Sequence, residues 1–280
     1  MARPSWIAGL VLVATACVPA GDGASATPAP SRVAGFDVVT PVARWQLPAD
    51  LQEVSGLAVT RPGFVVAHND ERGHLVEIDH RTGRVSRQWT FGSPVAREDF
   101  EGIDISNNEV TMMTSDGRLW SGTLPVDGGP VTAISVVDTG LGRRCELEGL
   151  ARSGDQEWIL PCKTPRGRQN RDVMFSLFFV RANGDVRTIT VPPVRGTRRL
   201  SPSSITPASA SGDDGFLVVF GPEHTIGHVT AQGQVTALVA WPAGRHPQPE
   251  GVAVDGNRLV VADEGQGRRP GTLTVYGRAQ

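Results

Sequence analysis

Phe100-Glu101-Gly102-Ile103 opens an apolar run. The phrase returns as Val54-Ser55-Gly56-Leu57 before it, and as Leu147-Glu148-Gly149-Leu150, Pro202-Ser203-Ser204-Ile205 and Pro249-Glu250-Gly251-Val252 after it. Counted from the Glu or Ser that leads each phrase, the intervals are 46, 47, 55 and 47 residues. A fixed period of this length marks a repeat architecture. The 30 residues after Glu250 and the 19 between Phe36 and Ser55 together make 49, one further repeat split between the chain ends.

Within a repeat, short runs rich in Val, Leu, Ile and Thr alternate with Gly, Asn and Asp turns, and no stretch carries a sustained helical period. In the first repeat these runs are SGLAVT, GFVVAHN, HLVEID and RVSRQWTF. Four strands in about 45 to 50 residues make one blade of a β-propeller. The expected fold is therefore all-β, a propeller of five four-stranded blades; six would need a repeat the sequence does not contain. The last repeat ends after GTLTVYG without a fourth strand, and residues 42–47 are expected to supply it, so that both chain ends share one blade and no open edge remains.

Ahead of the propeller, expected over residues 36–280, lie two segments of different character. Residues 1–16 carry one charge, Arg3, then an apolar run and Ala14-Thr15-Ala16 before Cys17, the pattern of a bacterial lipoprotein signal with Cys17 lipidated. Ala14 stands where such signals usually have Leu, and an ordinary secretory peptide cut after Ala20 is the alternative. Residues 17–35, rich in Pro, Ala, Gly and Ser, read as a flexible tether. The expected location is extracytoplasmic, on a bacterial membrane. The whole chain holds 27 basic and 29 acidic residues, a balance that argues against nucleic acid as a partner. Export favours a disulfide between Cys145 and Cys162, which the repeat map places at the same end of one hairpin.

Propeller topology brings the start of each first strand, the end of each second strand and the loop from the preceding blade to one face. Glu101, Glu148 and Glu250, with Ser55 and Ser203, should ring the channel mouth there. Asp70, Asp116, Lys163, Asp263 and Glu264 end second strands, and Arg97, Arg144, Arg199 and Arg245 arrive on entry loops, giving a candidate ligand surface. The opposite face is built from plain turns, so function is expected on the first. Two carboxylates roughly 7 Å apart repel by about 2 kcal/mol at an effective dielectric near 20, enough to raise a pKa or to hold a cation. Oxygen donors without a His or Cys cluster suit calcium better than zinc. The plainer alternative is that each Glu accepts backbone N–H groups of the next blade. No nucleophile elbow, zinc-protease helix or phosphate loop is present in the sequence.

The phrases LQEVSGLAV, AHNDERGHLVEID, DFEGIDI, CELEGLA, LSPSSI and QPEGVAVDGNRLVVADEG together resemble the SdiA-regulated family of bacterial envelope propellers, related to phytase-like and esterase-like-phytase propellers. The resemblance spans residues 38–276. It implies calcium at Glu101, Glu148 and Glu250, and the phytase-like relation implies a phosphoester substrate. Three functions are thus in view: a calcium-dependent binder of a small ligand or envelope partner, a metal-dependent phosphoester hydrolase or lactonase, and a non-catalytic envelope scaffold.

Overall fold

The computed structural model describes residues 31–154, 157–168, 172–197, 199–209 and 215–279. Residues 1–30, which include the expected signal and Cys17, lie outside the described residues.

Two strands precede the first blade: β1 (Arg32–Val33), within the stretch read as tether, and β2 (Phe36–Gln46). Blade 1 is β3 (Val54–Arg61), β4 (Phe64–Asn69), β5 (His74–Asp79) and β6 (Arg84–Phe91). Blade 2 begins with β7 (Phe100–Ser106), β8 (Glu109–Thr114) and β9 (Arg118–Thr123). The chain then makes an excursion: β10 (Gly129–Val131) pairs in parallel with β6 of blade 1, before β11 (Ser135–Asp138) returns as the outer strand of blade 2.

Blade 3 has a divided inner strand, β12 (Cys145–Leu147) and β13 (Ala151–Ser153), followed by β14 (Glu157–Pro165), β15 (Phe175–Arg181) and β16 (Val186–Val191). Blade 4 is β17 (Ser204–Pro207), β18 (Phe216–Phe220), β19 (Thr225–Val229) and β20 (Val235–Ala240). Blade 5 is β21 (Pro249–Asp255), β22 (Arg258–Asp263) and β23 (Thr272–Arg278), completed by β2 antiparallel to β23, with β1 outside it. The five-bladed ring and its closure by the N-terminal strand stand as the repeat spacing predicts.

Each blade buries both faces against its neighbours, which is why second strands such as FLVVF read as unbroken apolar runs. Five apolar clusters result, one at each blade junction. The cluster between blades 2 and 3 contains the Cys145–Cys162 disulfide, which ties the start of β12 to β14.

The recurring phrase marks where the inner strands close the ring. In blades 1, 2 and 5 the ladder slips by one residue between Val54 and Gly56, Phe100 and Gly102, and Pro249 and Gly251. Ser55, Glu101 and Glu250 are thus the extra residues of β-bulges, a device that turns a side chain out of the regular alternation. The Gly that follows lets the next blade approach. A Cβ on Gly102 would lie 2.6 Å from Leu150 N, and one on Gly149, already at φ +83°, would lie 3.0 Å from Ile205 N. In blade 4 Ser204 holds the glycine's place, and its Oγ accepts the Val252 N–H across the junction at 3.1 Å.

Candidate functional site

The three bulges and the break in the blade 3 inner strand deliver Ser55, Glu101, Glu250 and Glu148 to one mouth of the ring, and Ser203 arrives there just before β17. Ser55 Oγ donates to Glu101 Oε2 at 2.7 Å, from blade 1 to blade 2. Glu148 sits in the gap between β12 and β13, its N–H on Pro161 O and the following Gly149 N–H on Glu101 O at 2.6 Å. Ser203 Oγ donates to Pro249 O at 2.9 Å and accepts the Gly221 N–H. The serines therefore serve the blade junctions.

The carboxylates behave differently. Lys163, the only lysine of the chain, donates its ammonium to Glu148 Oε1, while Glu148 Oε2 is buried with no hydrogen-bond partner among the described residues. Removal from water pushes the Glu101 carboxyl up to about 8, with Asp99 and Glu250 adding to the rise and the Ser55 hydroxyl opposing it. Burial likewise lifts Glu250 to about 7, against the pull of Lys163. Glu148 is drawn both ways: burial and the Glu101 charge push it to about 9, yet Lys163 is itself raised by Glu148. A neutral Glu148 would give the ammonium no reason to hold its proton more tightly. The direct contact favours the ion pair, which leaves the ring's excess protons on Glu101 and Glu250.

The acidic character spreads between blades 1 and 5. Burial and the charges of Glu53 and Glu71 lift Asp70 to about 6, and burial with Asp70 and Glu53 lifts Glu264 to about 7. Asp116 is engaged by Thr114 and by Arg118, which also grips Glu98. Asp263 is fully buried, its Oδ2 taken by His246 Nδ1 at 2.8 Å, and His246 Nε2 meets the hydroxyl of Tyr276, the only tyrosine, at 2.6 Å. Of the arginines, Arg97 is exposed and Arg199 and Arg245 are half-buried, while Arg144 turns outward, over the Phe178 ring and toward Thr188 of β16. The structure thus gathers Glu101, Glu148 and Glu250 around Lys163, buries Asp263 close enough for its charge to raise Glu250, and turns Arg144 outward.

Sequence reasoning missed the Lys163–Glu148 pair and the Asp263–His246–Tyr276 chain. The first had only a coarse signal: Lys163 ends a second strand on the face that carries Glu148, but the pairing itself arises at the register shift between Glu146 and Leu147.

Among the described residues no three His, Cys, Asp or Glu side chains converge closely enough to hold an ion as arranged, and Lys163 lies among the carboxylates. Yet the donors are all oxygen, and Glu148 Oε2 is an orphaned buried acceptor, which fits a hard cation on donor chemistry.

Folded Glu101 and Glu250 hold protons that the unfolded chain loses near 4.5. Their contribution to stability is accordingly full below that pH and is lost as pH rises toward about 7 for Glu250 and about 8 for Glu101, by about 1.4 kcal/mol per unit for each extra proton held. Denaturation midpoints measured across this window are expected to decrease, most steeply above about 6.5 where buried His68 no longer opposes the trend, and a Glu101→Gln chain should show a shallower fall.

No family model matches the chain, and no curated protein sequence does. Solved structures do match in shape. The PQQ-bound aldose sugar dehydrogenase of Streptomyces coelicolor aligns with a TM-score of 0.61 at 13% identity, covering 89% of this chain and 99% of that one. Glutaminyl cyclase of Myxococcus xanthus aligns at 0.57 and 12% identity, over 86% and 97% of the two chains. The calcium-binding protein regucalcin of Agrobacterium tumefaciens aligns at 0.51 and 12%, over 86% and 96%. At these identities the likeness is one of fold, and the fold is a β-propeller.

Proposed function

We propose that this chain is an extracytoplasmic propeller, anchored by lipid on Cys17, whose acidic channel mouth binds calcium and with it a small ligand or envelope partner. The unpartnered, buried Oε2 of Glu148 beside Glu101 and Glu250 carries this reading. Calcium would be held by those three carboxylates, and a bound cation would offer a positive centre to a phosphate or carboxylate, with Arg245 and Arg199 of the entry loops completing the anion site. The resemblance to the SdiA-regulated propellers and the calcium-binding character of one structural neighbour point the same way.

Thermal melting of the soluble domain with calcium or with chelator tests the ion. At a concentration about 100 times the dissociation constant, calcium should stabilise by about 2.7 kcal/mol. A Glu148→Gln chain should lose that response, and equal melting curves with and without calcium would overturn the reading. The anchor is tested separately: Cys17→Ala should move the protein from the membrane fraction to the soluble one, and unchanged fractionation would sink the assignment.

A further inference from the structure

Two residues beyond each ring position, the inner strands carry Leu57, Ile103, Leu150, Ile205 and Val252, all buried. They form an apolar collar beneath the acidic mouth, and below the collar the channel widens into a chamber of about 330 Å³. The chamber belongs to the face of plain turns: Pro62 and Gly256, from the hairpins of blades 1 and 5, line it, and all five inner strands contribute wall residues such as Val59, Ile105, Ala151 and Val254. A concave cavity of this size, with mostly aliphatic lining side chains and a few polar groups placed among them, is a usual form of a small-molecule site.

Its polar groups set the ligand class. Two carboxylates, Asp104 and Asp255, line the chamber, and no Arg, Lys or His is among the described lining residues. Each is anchored from behind through one oxygen. Arg152 Nε donates to Asp104 Oδ2 at 2.7 Å, while Asp255 Oδ2 meets His80 Nε2 at 2.8 Å and accepts the Gly63 N–H at 2.6 Å. Among the described residues the Oδ1 atom of each is left able to accept a further hydrogen bond. We infer that this chamber is a second binding site, for a small molecule with a flat or compact apolar body and a protonated amine. The apolar body lies against the collar, and the ammonium donates to Asp104 or Asp255. The site is independent of calcium binding at the opposite mouth.

Tryptamine and its neutral counterpart tryptophol serve as probes, with binding followed by calorimetry and by NMR contacts to the methyl groups of Ile103 and Ile105. Tryptamine should bind saturably, with those contacts, about tenfold more tightly than tryptophol, the change expected of one charge-assisted hydrogen bond. Val59→Trp, which fills the chamber, should abolish binding, whereas calcium and Glu148→Gln should leave it unchanged. If Val59→Trp fails to fold, the NMR contacts in the unaltered chain decide. No saturable binding, equal binding of the two probes, absent contacts to Ile103 and Ile105, or displacement by calcium would each overturn the assignment.

Discussion

Gly102→Val is expected to destabilise the propeller by at least about 3 kcal/mol, the upper part of the overpacking range. The added atoms would meet backbone: the Cβ alone falls 2.6 Å from Leu150 N and 2.7 Å from Gly149 C, both in blade 3. Backbone at a ring junction has no rotamer to change, so the blades must separate. Separation would also strain the bond from Gly149 N–H to Glu101 O, and the apolar clusters on either side of blade 2 would share the loss. A urea titration reads the effect, and a midpoint equal to that of the unaltered chain would show that the junction can yield. Blade 4 supplies an internal comparison. Ser204 stands in the glycine's place with its Oγ bonded to Val252 N–H, so Ser204→Gly should cost only that hydrogen bond, about 1 kcal/mol.

The second large effect is expected at Lys163. Lys163→Met removes the one ammonium from a set of buried carboxylates and leaves Glu148 without a partner, a loss of about 3 kcal/mol when the carboxyl must ionise. The loss should shrink as pH falls, because burial already favours the protonated form and Glu148 then takes a proton instead. Adding Glu148→Gln to Lys163→Met should recover most of the stability at high pH, giving a coupling energy that a double-mutant cycle reports directly. An additive double variant would mean that the two groups do not depend on each other. On the proposed function, calcium should stabilise Lys163→Met more than the unaltered chain, since the ion no longer competes with the ammonium.

The legible part of the fold was the part that repeats. The phrase recurs at a blade's length because each blade makes a close approach at the ring, with a bulge there in blades 1, 2 and 5, and that need writes Ser or Glu followed by Gly or, in blade 4, Ser. The shared blade was legible too, because GTLTVYG had no following strand and residues 42–47 had no preceding one. β10 was not: three residues, Gly129–Val131, show no periodicity, and a parallel pairing with a preceding blade leaves no local trace. Of the site, the carboxylate positions followed from topology, but their partner did not. That Lys163 and not a solvent ion faces Glu148 depends on side-chain reach and register at β12 and β14, where the ladder slips between Glu146 and Leu147. Asp263 illustrates the same limit. Its place at the end of β22 predicted exposure at the mouth, whereas packing of Trp241 and Tyr276 around His246 draws it inward.

The pairing of β2 with β23 has a bearing on when the molecule can become itself. β2 is among the first parts of the propeller to leave the ribosome, and its partner, ending at Arg278, is among the last. Blades 1 to 4 can form in order as they are made. Blade 5 waits, holding an eleven-residue strand unmatched until β23 has been made. The ring therefore has a built-in clock: it can close only once β23 has been made, and a product truncated before β23 is marked as unfinished by the strand it leaves without a mate.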